Sequence, residues 1–282
     1  MQPENGDQAP QVRRRKPWLA LVLSLVATGV GQLYNGQWRK GVLFFGGELA
    51  LSFLLIPAMR TFIGLAAGIA VLAAVNLYVA ADAFVVARRL TDYRPGKCNR
   101  GWLYILAAVV AMGAGAAGQT AIEVFFYESY KAPSGSMIPT LLVGDHFMAG
   151  VLSPSDPVRR GDVVIFLEES CGKRFVKRVI GLPGETVSLE AQRVRIDGEL
   201  LEEPYARHIR PDERLPVRDE MASVLLGPDQ YFVMGDNRER SYDSRWLGPV
   251  KRDRFLARAL YLYLPGPSPD GSRFARLGAA VR

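Results

Sequence analysis

The chain has 282 residues, is 49% hydrophobic and carries a formal net charge of +7. A single water-soluble domain is excluded, because nearly all the long uncharged runs fall before residue 123 while the later half is mixed and charged. The excess charge fits arginine and lysine flanking membrane spans better than nucleic acid binding, for which no motif is present.

Cys98 and Cys171 are the only cysteines, and His146 and His208 the only histidines. The cysteines flank the last apolar run, so they are expected on opposite sides of a membrane and unable to pair. No metal-ligand spacing exists, and neither a metal nor a cofactor is expected.

Residues 1–16 form a polar, basic N-terminus read as disordered. Residues 17–124 are read as a transmembrane region. Its first uncharged run, 17–37, follows Arg13-Arg14-Arg15-Lys16 and resembles a signal peptide without a convincing cleavage site. Runs 41–59 and 61–81 are each long enough to span hydrocarbon, which takes about 20 residues. Glu48 interrupts the second run and is expected to face another helix or sit neutral. The loop with Arg88, Arg89, Arg94, Lys97 and Arg100 is the best cytoplasmic candidate. The last span, 101–122, has a small-residue face from Gly113 to Gly118, suited to close helix packing. It delivers everything after Glu123 to the outer side. Four full crossings would put Arg13–Lys16 outside, against the charge rule. The first run, ending in Gly31-Gln32-Leu33-Tyr34-Asn35-Gly36, is the one that need not cross, so three or four spans remain open.

Residues 125–282 are read as an extracytoplasmic, mainly antiparallel β domain. Strand signals cover 161–166, 175–180, 185–189, 193–200, 230–234 and 255–264, with Asp197-Gly198 as a turn. No long amphipathic helix stands out. Residues 204–218 read as a charged surface insertion.

The stretch Ala132-Pro133-Ser134-Gly135-Ser136-Met137-Ile138-Pro139-Thr140-Leu141 places two hydroxyls around a glycine, between prolines. Proline restricts both its own φ and the residue before it, so the run is expected to be extended or turned, stiff and exposed. That suits a nucleophile at Ser136. A serine needs a base. His146 and His208 sit in no recognisable motif, which leaves a lysine held neutral. In a strand at 175–180, Lys177 shares its face with Phe175 and Val179, and apolar neighbours depress an ammonium pKa. A fall from about 10.4 to about 8 costs about 3 kcal/mol. The loop Gly235-Asp236-Asn237-Arg238-Glu239-Arg240-Ser241-Tyr242-Asp243-Ser244-Arg245 then offers Ser241 to position the amine and Asp/Arg pairs to brace it.

These stretches, in this order after a membrane anchor, resemble the boxes of bacterial type I signal peptidases, membrane-bound serine proteases with a Ser-Lys dyad. The resemblance covers about residues 125–265, with Glu185 where aspartate is more usual. It implies that Ser136 is the nucleophile and Lys177 the general base. It further implies Ser134 and the Ser136 N–H as oxyanion donors and Ser241 as the residue orienting the lysine. Arg178, Asp236, Asp243 and Arg245 would brace the site, and Met137 would line the substrate pocket. The implied substrates are exported preproteins cut after small residues at −1 and −3, at a bacterial cytoplasmic membrane, with the lipid bilayer as the other partner. Residues before 100 depart from the family pattern, which has one or two spans.

Ser170-Cys171-Gly172-Lys173 fits the S-x-x-K of penicillin-binding enzymes, but its partner motifs are missing. A soluble self-cleaving repressor is opposed by the spans. A silent membrane scaffold is opposed by Ser136, Lys177 and Ser241 together.

Overall fold

The computed structural model describes residues 14–91, 100–169, 171–209, 219–268 and 271–282. Arg13, the loop residues Arg94 to Cys98, Ser170 and residues 210–218 lie outside the described residues. Two units emerge, one helical and one built from strands.

The helical unit holds α1 (Pro17–Val26), α2 (Val30–Tyr34), α3 (Trp38–Leu55), α4 (Phe62–Arg89) and α5 (Gly101–Phe125). Three helices, Trp38–Arg60, Phe62–Arg89 and Gly101–Phe125, are long and apolar enough to cross a membrane. The first apolar run does not make a fourth. Gly29 takes a left-handed φ of 89° and splits it into α1 and α2. At 1.5 Å per residue α1 reaches about 15 Å, half of a hydrocarbon core of about 30 Å.

The split has a packing cause. A Cβ on Gly29 would stand 2.3 Å from the Gly41 carbonyl oxygen, and one on Gly31 would stand 2.1 Å from that of Ala20. Glycine lets these backbones touch. Gln32, fully buried, accepts from Ser24 and donates to the Val79 carbonyl and to Asp82, while Asn35 donates to the Ala83 carbonyl. Lys40 closes the cluster on Asp82 at 2.7 Å. Glu48 is half-buried, and its Oε2 is buried without a hydrogen-bond partner. The small-residue face of α5 differs from expectation: nothing lies within 4 Å of a Cβ at Gly113, Gly115 or Gly118, and α5 has no buried residue.

The second unit has only antiparallel pairings between its named strands, and one isolated parallel bridge, which joins Arg207 to Asn237. Its strands are β1 (Tyr127–Lys131), β2 (His146–Val151), β3 (Val163–Glu168), β4 (Lys173–Gly181), β5 (Thr186–Glu190), β6 (Arg193–Ile196), β7 (Glu199–Leu200), β8 (Met221–Leu225), β9 (Gln230–Met234), β10 (Val250–Lys251) and β11 (Phe255–Leu264). Seven form one sheet, ordered β1-β2-β11-β3-β4-β9-β10, and four form another, ordered β7-β6-β5-β8. Asp197 and Gly198 both have positive φ, 51° and 87°, as a two-residue hairpin turn requires.

β4 sits inside the large sheet and feeds three apolar clusters. Val176 packs with Met137, Leu141 and Phe147; Val179 with Val164, Phe166 and Phe255; Ile180 with Val187, Phe232 and Met234. Both faces of β4 are therefore covered from Lys177 onward. At the start of the expected surface insertion Pro204, Arg207 and Ile209 are exposed, while Tyr205 packs against the third cluster. Just before it, Glu203 pairs with the buried Arg238.

Candidate active site

The proline-flanked stretch forms one 3-10 turn, Gly135–Met137, not a purely extended segment. Ser136 is 9% exposed, where the sequence reading expects exposure. The reason is that the loop after β9 folds over the turn. Asn237 donates its backbone N–H to the Ser136 carbonyl at 3.0 Å and its Nδ2 to the Gly135 carbonyl at 2.9 Å.

Ser136 meets Lys177 across this turn. Lys177 Nζ lies 3.0 Å from Ser136 Oγ, and the Ser134 hydroxyl donates to the same oxygen at 3.3 Å. Lys177 is 5% exposed, with its Nζ 5.5 Å from the Phe175 ring centre. Burial lowers its pKa from 10.5 to about 8; Asp243 and Asp236 pull it back up in part, and Arg245 pushes it further down. A cavity of about 360 Å³ opens onto the pair, lined by Ser134, Ser136, Met137, Leu141, Phe175 and Lys177 among others. Met137 thus belongs both to the cavity wall and to the core.

Arg178 points away from Lys177 and ties three segments together. Its Nε and Nη2 engage Asp236 at 2.8 and 2.6 Å, its Nη1 donates to the Gly161 carbonyl at 2.9 Å, and Nη2 reaches Thr140 Oγ1 at 3.1 Å. Tyr205 lies under the guanidinium, 4.0 Å from ring centre to Cζ. Asp243 caps the short helix α6 (Ser244–Leu247) and takes two guanidinium bonds from Arg245, each 2.9 Å. Burial alone would raise the Asp243 carboxyl, but the Arg245 guanidinium more than offsets it and the pKa is lowered. Arg245 also donates to the Arg238 carbonyl at 2.7 Å, so the loop is closed on itself.

Ser241 is 8% exposed beside this pair. Its Oγ is buried and reaches no partner in good hydrogen-bond geometry, although its position favours the Asp243 carboxylate. No hydrogen bond joins it to Lys177. The approach of Ser241 to the nucleophile turn depends on Gly235: a Cβ there would stand 2.2 Å from Ser241 Oγ and 2.5 Å from the Ser136 carbonyl oxygen.

The histidines stay away from the cavity. His146 lies in β2 with its ring edge on Tyr263, and neither it nor His208 lines the wall. Lys173 of the S-x-x-K decoy opens a strand, not a helix. Cys171 is a free, exposed thiol. Among the described residues, no cluster has the makings of a metal site. Thr140, Asn237, Arg238 and Glu203 belong to the site and were not singled out by their sequence. The only signal for the first three is their place inside the two loops.

A serine hydroxyl and a desolvated lysine amine share one cleft of an antiparallel β unit, in a chain that also carries helices fit for a membrane. Fold and site together define a serine peptidase. The family model "Signal peptidase, peptidase S26" matches residues 101–264. Similar proteins include Signal peptidase I of Leptolyngbya laminosa, 35% identical over 181 residues, 58% of this chain and 82% of that one. Signal peptidase I T of Bacillus subtilis (strain 168) is 36% identical over 149 residues, 51% of this chain and 77% of that one. Signal peptidase I of Pseudomonas aeruginosa is 34% identical over 208 residues, with coverage of 56% and 72%. A crystal structure of a signal peptidase I from Enterococcus faecalis V583 is 32% identical, covers 36% of this chain and 94% of that one, and has a TM-score of 0.32. The chain belongs to the signal peptidase, peptidase S26, family and is a serine endopeptidase. The helices before α5 lie outside the matched residues.

Proposed function

We propose that this protein removes signal peptides from exported preproteins, with Ser136 as nucleophile and Lys177 as general base. The observation that carries the proposal is the 3.0 Å approach of Nζ to Oγ at an amine whose pKa is lowered to about 8. A protonated ammonium only donates; once neutral, the amine holds a lone pair toward the Ser136 hydroxyl. Lys177 takes that proton as Oγ attacks the scissile carbonyl. The resulting ammonium returns the proton to the leaving amine, and the acyl group stays on Ser136. Lys177, neutral again, deprotonates the water that frees the product.

Ser134 turns its hydroxyl from Ser136 Oγ to the oxyanion, alongside the Ser136 N–H. One such donor typically contributes about 3 kcal/mol to the transition state. Arg178 with Asp236, and Asp243 with Arg245, brace the cleft and transfer no proton. Ser241 acts on the lysine through its neighbour Asp243, whose charge Lys177 feels. Met137 lines the pocket for the substrate side chain. Small residues at −1 and −3 suit a narrow cavity walled by Met137, Leu141, Phe175 and Val176. An extended substrate offers alternate side chains to that wall.

Three spans support one orientation. Arg14, Arg15, Lys16, Arg39, Arg88, Arg89 and Arg100 then fall on one side of the bilayer, and only Arg60 marks the other turn. By the charge rule the first side is cytoplasmic, which places 125–282 outside the bacterial cytoplasmic membrane as the catalytic domain. Residues 17–124 are the membrane region, preceded by the basic N-terminus, 1–16, on the inner side. The test is cleavage of a purified preprotein in detergent, with the new N-terminus sequenced. Ser136→Ala and Lys177→Ala are each expected to abolish cleavage while remaining folded, and full activity in either defeats the assignment.

A further inference from the structure

β4 is paired with β3 along Lys173 to Arg178, but with β9 only from Arg178 onward. The segment 173–177 therefore presents an open edge among the described strands, and the cavity lies against it. Alternation puts Lys173 on the face of Phe175 and Lys177. At about 3.3 Å per residue, Lys173 stands about 13 Å from Lys177 along the strand.

Besides Lys177, the ionisable groups of the cavity wall are Lys173, Arg174, Arg240 and Tyr242, so every charged side chain there is a cation and no carboxylate lines it. Arg174 is neutralised by Glu128 at 2.5 Å. Lys173 and Arg240 are exposed. Of the carboxylates in that loop, Asp243 is paired with Arg245, Asp236 with Arg178, and Glu239 accepts from the Ile209 N–H. Two exposed cations thus line the cavity that holds Ser136 and Lys177, one on β4 and one next to Ser241 in the loop after β9.

We propose that Lys173 and Arg240 are specificity residues that favour a substrate carboxylate within about four residues of the scissile bond, the span that the open β4 edge can hold. The proposal rests on the reading of Ser136 and Lys177 as the reacting pair. Neither cation touches the reacting atoms; both act through charge on binding and on the on-rate, so the effect weakens with salt.

The test uses the full-length protein in neutral detergent and peptides spanning a cleavage site. Asp, Ala or Lys is placed at each of the four positions on either side of the bond, and kcat/KM is measured at low and high salt. At one position or more, Asp is expected to exceed Lys by about fivefold, the scale of exposed pairs, with Ala between them. High salt shrinks the ratio, and Lys173→Glu or Arg240→Glu reverses the order. A flat order at every position, with the alanine peptide still cleaved, overturns the proposal and leaves the peptidase reading intact. Wild-type protein that cleaves none of the peptides overturns both. A charge order seen only in vesicles of anionic phospholipid, and absent in neutral detergent, assigns the cations to the bilayer and overturns the proposal.

Discussion

Arg178 and Asp236 form a two-pronged ion pair with each side chain only 1% exposed, at 2.8 Å from Nε and 2.6 Å from Nη2. Lys177 and Arg178 are consecutive, so this pair fixes the strand that carries the amine. Removing one partner strands a buried charge, which typically costs 3–5 kcal/mol. Arg178→Ala is expected to destabilise the protein on about that scale. Arg178→Lys is expected to recover little, since one ammonium cannot reproduce the fork. Denaturant melts of the three proteins in detergent check this; equal midpoints would remove the pair from the framework.

Gly235 governs how closely the last loop meets the nucleophile turn. An alanine there would press on the Ser136 carbonyl oxygen, which is backbone and cannot rotate aside. Gly235→Ala is expected to lower kcat by at least about 100-fold, because a displacement of about 1 Å at a reacting group has that effect. Single-turnover cleavage measures it. The control is Gly198→Ala in the turn of the other sheet, where nothing lies within 4 Å but φ is +87°: strain without contact with Ser136 is expected to cost stability more than rate.

The sequence made the chemistry of this cleft readable because its parts lie in short contiguous runs. Ser134 and Ser136 share one turn, Lys177 and Arg178 one strand, and Asp236 to Arg245 one loop. Strands bounded by turn residues and apolar throughout, such as β9 and β11, were visible for the same reason. β1, Tyr-Glu-Ser-Tyr-Lys, was not, since its pairing is imposed by β2 and its own composition is polar. Arg238 with Glu203, and Thr140 with Arg178, were invisible because each pair is more than thirty residues apart in the chain. The break at Gly29 depends on Gly41, which no local pattern reveals.

Ser134 is exposed, so its replacement should not unsettle the fold, while its hydroxyl sits 3.3 Å from Ser136 Oγ. Ser134→Ala is expected to reduce kcat by about 10²–10³-fold with KM little changed, the signature of a donor used only in the transition state. Ser134→Thr should retain more. Steady-state cleavage of one preprotein by the three proteins decides it, and a change confined to KM would instead make Ser134 a binding contact.

Lys177 links pH to both rate and stability. Cleavage needs the neutral amine, so kcat/KM is expected to rise about tenfold per pH step below the folded pKa and to level off above about 8. Stability follows with a definite sign. The amine titrates at about 8 when folded and near 10.5 when unfolded, so between these values the unfolded chain binds more protons. Raising the pH through that window therefore stabilises the fold, by about 3 kcal/mol from this group. Below 8 both forms are protonated and the burial penalty is present in full. Lys177→Met removes the titrating group, and its melting curves should lose this rise between pH 8 and 10.5 relative to the wild type. A wild-type rate that falls from pH 7 to 8.5, or identical pH dependence of stability in Lys177→Met, would mean that Lys177 does not titrate as its burial demands.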